Sequence, residues 1–261
     1  MSRRFLAVDI GNTQMVFGLY EADALLCHWR LSSERHATPD ELAWQMHGMF
    51  TTQHAYAPTE IDGIMVASVV PHLDVPLAGA CQRICGKTPA FVGSSSVRTG
   101  MAVDYKNPRE VGADRIANAV AAREKFGSPV IVLDCGTATT FDIVSPEGRY
   151  AGGLIAPGME VALAALSERA AKLPEVPLTR IDMHIGRDTI ASMQAGSYWS
   201  MVDGLAGLIT RLQAVEGYAE APVVATGGLA RLVMTDIAAI NHYEEHLTLQ
   251  GLRLLAERHF D

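Results

Sequence analysis

Apolar residues in this chain gather in short unbroken blocks that stop at an Asp and a glycine turn. Phe5-Leu6-Ala7-Val8-Asp9-Ile10 reads as a buried strand ending at Gly11-Asn12-Thr13, and Met15-Val16-Phe17-Gly18-Leu19-Tyr20 reads as a second strand turning back beside it. The same phrase returns near the middle. Val130-Ile131-Val132-Leu133-Asp134 is an apolar strand ending in a Gly-Thr turn, followed by Thr140-Phe141-Asp142-Ile143-Val144. Self-similarity at such long spacing predicts a duplicated domain, since solenoid periods run to roughly 20–50 residues. Between and after these blocks, 39–50 and 113–126 carry helical spacing, Ile64 to Val70 reads as a strand stopping at Pro71, and Pro222 to Thr226 as a strand running into Gly227-Gly228. The expectation is two related α/β halves, residues 1–115 and 116–261, sharing a close interface around a cleft.

Composition narrows what the halves bind. The 261 residues are 49% hydrophobic and 19% charged, with a formal net charge of −8, which argues against a surface built for nucleic acid, whose affinity comes from clustered Lys and Arg. Any phosphate is expected to be small and local. The apolar run after Arg3-Arg4 is broken by Asp9, and the stretch from Ala151 to Leu166 contains Pro157 and Glu160, so neither a signal peptide nor a membrane span is expected and the reading is cytoplasmic. Of the four cysteines, Cys81 and Cys85 stand one helical turn apart and Cys27 and Cys135 are isolated, which predicts reduced structural thiols.

Both Asp turns have the composition of a phosphate site. Gly lets the backbone approach an anion closely, N–H groups and Thr hydroxyls donate to phosphate oxygens, and an Asp carboxylate can hold Mg²⁺ through water. The same residues would also serve a plain β-hairpin. Thr226-Gly227-Gly228-Leu229, after a strand, would let an adenine or ribose lie against bare backbone.

In chain order these turns resemble those of the acetate and sugar kinase, heat-shock chaperone and actin superfamily, whose paired ribonuclease-H-like α/β domains with mixed sheets bind ATP in the interdomain cleft. Within it the chain is similar to type III pantothenate kinases. The resemblance rests on Asp9-x-Gly11-Asn12-Thr13, Asp104-Tyr105-Lys106-Asn107-Pro108, Gly112-Ala113-Asp114-Arg115, Asp134-x-Gly136-Thr137-Ala138-Thr139-Thr140-x-Asp142 and Gly152-Gly153-x-Ile155-x-Pro157-Gly158, extended by Ala171-Lys172-Leu173-Pro174, Gly186-x-x-Thr189 and Leu249-x-Gly251-Leu252. It implies ATP-dependent phosphorylation of pantothenate, the first step of coenzyme A biosynthesis, by a homodimer.

By that resemblance Asp114 is the general base that accepts the proton of the attacking hydroxyl; read without it, Asp114 caps a helix. Asp9, Ile10, Gly11, Asn12, Thr13, Gln14, Met15, Val16, Thr137, Gly227 and Gly228 would bind ATP. Tyr105, Gly112, Ala113, Asp114, Arg115 and Thr189 would bind pantothenate, with Arg115 holding its carboxylate. Asp134 would hold a monovalent cation, K⁺ or NH₄⁺, and Asp9 would orient Mg²⁺ through water. The alternative is a nucleotide-binding regulatory protein of the same fold that does no chemistry.

Cys135, Arg187-Asp188 before Thr189, and Ser200 depart from the family pattern without removing a proposed catalytic group. Gly86-Lys87-Thr88 is set aside as a P-loop because Pro89 follows where a helix should begin. His242-Tyr243-Glu244-Glu245-His246 fits a zinc-peptidase pattern but reads as a solvated loop, and 41–49, with Trp44, Met46 and Met49, as a core-facing helix.

Overall fold

A computed structural model describes residues 3–52 and 57–260; Met1 and Ser2, part of the signal-peptide reading, lie outside them. The chain forms two compact units, Met1–Ala121 with Leu247–Asp261, and Ala122–His246.

The first unit opens with β1 (Arg4–Ile10), β2 (Gln14–Glu21) and β3 (Ala24–Ser32), an antiparallel meander. Next comes α1 (Pro39–Thr52), entered through a capping box: Thr38 Oγ1 accepts from the Glu41 N–H at 3.2 Å and the Glu41 carboxylate accepts from the Thr38 N–H at 2.8 Å. Then β4 (Gly63–Ser68) pairs parallel with β1, and α2 (Asp74–Cys85) precedes β5 (Ala90–Phe91), parallel to β4. The sheet order is β3-β2-β1-β4-β5. The division between units falls within α3 (Ala113–Phe126).

The second unit repeats the plan. β6 (Val130–Cys135), β7 (Ala138–Val144) and β8 (Tyr150–Pro157) form the meander. They are followed by α4 (Met159–Arg169) and the 25-residue α5 (Thr189–Gln213). Then come β9 (Val223–Thr226), parallel to β6, the short α6 (Ala230–Val233) and the edge strand β10 (His242–Tyr243). Its order, β10-β9-β6-β7-β8, is the first sheet's order with every strand replaced by its counterpart. Two mixed five-stranded sheets of this topology are two ribonuclease-H-like domains, as expected.

The last helix, α7 (Leu247–Phe260), returns to the first unit and packs on β1 and β4. Glycines open its seat: a Cβ on Gly63 would fall 2.5 Å from the Phe260 ring, and one on Gly251 2.0 Å from the Ala117 carbonyl oxygen of α3. Phe260 also stacks on Phe5 at 5.9 Å.

Several local expectations need correction. The strand expected through Val70 ends at Ser68, because Pro71 opens a 3₁₀ turn. Trp44 does not face the core: Leu42, Ala43, Met46 and Phe50 form the buried stripe of α1, and Trp44, on the far side, is 79% exposed. His242 and Tyr243 are not loop but β10, and the His242 ring stacks on Phe126 at 4.5 Å. Gly86 ends α2 in a left-handed conformation, φ 66°, the reverse of a P-loop's role.

Candidate functional site

The two Asp turns occupy one place in both sheets. Asp9 lies opposite Val16 and Ile10 opposite Met15, while Asp134 lies opposite Thr140 and Cys135 opposite Thr139. Each following glycine closes its turn, the Gly11 N–H donating to the Gln14 carbonyl at 3.0 Å and the Gly136 N–H to the Ala138 carbonyl at 3.1 Å. Around the first turn Asn12, Thr13 and Gln14 are exposed, Asp9, Gly11 and Val16 are half-buried, and Ile10 and Met15 are buried. Ile10 and Met15 therefore have only backbone to offer a ligand.

The second turn is packed by two glycines. A Cβ on Gly158 would stand 2.2 Å from the Thr137 carbonyl oxygen and 2.6 Å from that of Gly136. Gly227, φ +88°, would place one 2.5 Å from Asp134 Oδ1 and 2.6 Å from the Cys135 carbonyl oxygen, and the Leu229 N–H donates to that same carbonyl at 3.2 Å. The bare backbone of Gly227 thus presses on Asp134 itself. Gly228 is the residue with open space, nothing lying within 4 Å of a Cβ there. Thr137 is exposed, and burial with the nearby Asp134 carboxylate pushes the Cys135 thiol up to about 12, so it stays protonated.

Gly112, Ala113, Asp114 and Arg115 converge at the start of α3. The Asp114 Oδ1 accepts from the Arg115 N–H at 2.8 Å, and Arg115 is only 7% exposed. Burial pushes the Asp114 carboxyl above the ordinary carboxylate value against the lowering pull of the Arg115 N–H and guanidinium. Tyr105 sits in a bend ahead of the helix, partly exposed.

Thr189 is the first residue of α5, whose N-cap is Asp188, with its carboxylate accepting from the Ala191 N–H at 2.8 Å. It lines an open cavity of about 860 Å³ bounded by Leu166, Leu173, Arg187, Met193, Ser197 and Ser200 among others. Met193 was not singled out from the sequence, and Arg187 only as a departure from the family pattern; the helical repeat from Thr189 through Met193 to Ser197 and Ser200 was the available signal. Among the described residues no three His, Cys, Asp or Glu side chains gather as a metal cluster, the His242–His246 segment included, and all four cysteines are free.

A family model described as type III pantothenate kinase matches residues 5–211. A protein of Moorella thermoacetica named type III pantothenate kinase is 46% identical over 257 residues, covering 97% of this chain and 98% of that protein. One of Myxococcus xanthus with the same name is 45% identical over 253 residues, with coverage of 97% and 98%. Among solved structures, a Campylobacter jejuni protein provisionally named a Baf family transcriptional activator aligns with a TM-score of 0.58 at 19% identity, covering 97% of this chain and 98% of that one. The ethanolamine utilization protein EutJ of Carboxydothermus hydrogenoformans aligns at 0.55 and 14% identity, covering 98% and 90%. Likeness at such identity concerns the fold alone.

Proposed function

This chain belongs to the type III pantothenate kinase family, which makes it a kinase phosphorylating pantothenate in coenzyme A biosynthesis, and on that premise we propose which residues carry out the reaction. The observation that carries the assignment is Asp114, a carboxylate held at a helix start by the Arg115 N–H and made more basic by burial. It accepts the proton of the pantothenate hydroxyl as that oxygen attacks phosphorus, an effect worth roughly 10²–10⁴-fold. A carboxyl raised above its ordinary value is the stronger base. Arg115, beside it and almost fully buried, pairs with the pantothenate carboxylate, where a guanidinium can make two parallel hydrogen bonds. Gly112, Ala113, Tyr105 and Thr189 complete the pantothenate contacts.

ATP, when bound, supplies the γ-phosphoryl group, and Mg²⁺ offsets charge on the phosphate oxygens. The residues present suit them. Asn12, Thr13, Gln14 and Thr137 are exposed polar turn residues, and Gly228 leaves room for a nucleotide against backbone. Ile10, Gly11, Met15, Val16 and Gly227 shape those turns, and Asp9 orients Mg²⁺ through water. Asp134, one carboxylate at a turn crowded with backbone carbonyls, has the donor set of a weakly hydrated monovalent cation, K⁺ or NH₄⁺, and among the described residues it does not belong to a group of three or more His, Cys, Asp or Glu side chains such as zinc uses.

The partner we propose is a second copy of the chain, seated on α5. Ser192, Gly196, Ser200, Asp203, Gly204 and Gly207 form its exposed face, and no atom lies within 4 Å of a Cβ built on any of its three glycines. Each interior helix glycine costs about 1 kcal/mol relative to Ala, a cost that close approach of another helix would offset. Ile190 at the start of α5, with Ile155, Val161 and Leu166 on β8 and α4, adds exposed apolar surface in the same unit. No described helix is long and apolar enough to cross a membrane. Free thiols, three of them buried, and dependence on ATP support a cytoplasmic location, and the net charge of −8 supports no nucleic-acid role.

The deciding assay measures ADP release with pantothenate, ATP and Mg²⁺ in potassium, ammonium or sodium. Pantothenate-dependent turnover that needs potassium or ammonium supports the reaction and the Asp134 site together. Equal turnover in sodium removes the cation role, and no turnover from folded, ATP-binding protein favours the silent nucleotide-binding reading.

A further inference from the structure

The residue that follows the third strand reaches back to the Asp turn in both units, by different chemistry. In the first sheet Ser32, the last residue of β3, lies opposite Gln14, the first of β2; in the second, Pro157, the last of β8, lies opposite Ala138, the first of β7. Ser33 and Gly158 therefore occupy one topological position. Gly158 meets its turn through bare backbone, with no room for a side chain against the Gly136 and Thr137 carbonyls. Ser33 meets the other turn through two hydrogen bonds. Its N–H donates to the Thr13 carbonyl at 3.0 Å and its hydroxyl donates to the Gly11 carbonyl at 2.6 Å.

We infer that Ser33 is a positioning residue for ATP: its side chain sets the orientation of the peptide group between Gly11 and Asn12, and so of the Asn12 N–H available to a phosphate oxygen. The reason is covalent. A peptide unit is planar and trans, so its C=O and N–H point in opposite directions, and a hydroxyl that fixes the Gly11 carbonyl also fixes the Asn12 N–H. The Gly11 N–H is committed to the Gln14 carbonyl and the Thr13 carbonyl to Ser33, which leaves the Gly11 carbonyl as the point where one side chain decides the turn's geometry. Asn12, Thr13 and Gln14 are exposed, so burial in the core does not supply the constraint. Donors aimed in advance at an anion lose nothing to reorganisation when it binds, and a donor misaimed by rotation of its peptide weakens the contact.

The inference rests on the reading that the Asp9 turn binds ATP phosphates, and the test separates the two. Steady-state kinetics are measured for wild type, Ser33→Ala and Ser33→Thr with ATP and pantothenate varied in turn, beside thermal melts. The expected result is an ATP KM about tenfold higher in Ser33→Ala, unchanged pantothenate KM, a melting temperature within a few degrees of wild type, and recovery of most of the ATP KM in Ser33→Thr, which keeps the hydroxyl. An ATP KM in Ser33→Ala equal to wild type, or parallel rises in both KM values with a large loss of melting temperature, overturns the inference while the wild-type reaction stands. Wild-type protein that binds no ATP overturns the underlying reading.

Discussion

Gly112 leaves the space that the Asp114 carboxylate fills: a Cβ on Gly112 would stand 2.4 Å from Asp114 Oδ1. The helix that presents Asp114 is thus preceded by a residue whose missing side chain lets the carboxylate keep its hydrogen bond to the Arg115 N–H. Gly112→Ala is expected to turn the carboxylate aside and lower kcat about 10²-fold, the scale of a misplacement near 1 Å, with ATP KM little changed. A kcat within about threefold of wild type would show that the carboxylate works from more than one position.

Asp114 also makes a pH-dependent signature. Burial raises its carboxyl in the folded state above the unfolded value, so ionisation favours unfolding at pH above the folded pKa, and the effect vanishes below the unfolded value, about 4. Asp114→Asn should therefore abolish most turnover yet melt higher than wild type at pH 8, with the difference shrinking as pH falls to 4. In wild type the acid limb of kcat/KM should lie above the ordinary carboxylate range. A variant melting lower than wild type at pH 8 would contradict the burial of that charge.

The paired glycines after β9 should separate stability from binding. Gly227→Ala puts a Cβ at φ +88° and against Asp134 Oδ1 and the Cys135 carbonyl, and is expected to cost about 1–3 kcal/mol in denaturant melts. Gly228→Ala meets nothing within 4 Å, so stability should change by no more than about 0.5 kcal/mol while ATP KM rises. Unchanged ATP KM in Gly228→Ala would remove the nucleotide from that backbone.

A bulky residue on the open face of α5 should break the proposed pairing of copies. Gly204→Leu, introduced where a Cβ touches nothing in the chain, is expected to convert a dimer to a monomer by light scattering while leaving the melt of the isolated fold cooperative. A dimer retained by that variant at low micromolar concentration would place the interface elsewhere.

Much of the fold was legible in the sequence because it is written in local chemistry. Apolar blocks of strand length, the Asp-Gly-hydroxyl turns and the helical spacing of 113–126 depend on near neighbours, and their repetition announced two like units. The motifs likewise brought Gly112 to Arg115 onto one helix start. Tertiary structure alone decided the rest, because it turns on contacts between residues far apart in the chain. Nothing local marks α7 as the helix that packs on β1 and β4, or Gly63 as the space for Phe260. No periodicity assigns Gly227 to Asp134, or the Ser33 hydroxyl to the Gly11 carbonyl, since strand register sets both approaches and register is a property of the assembled sheet.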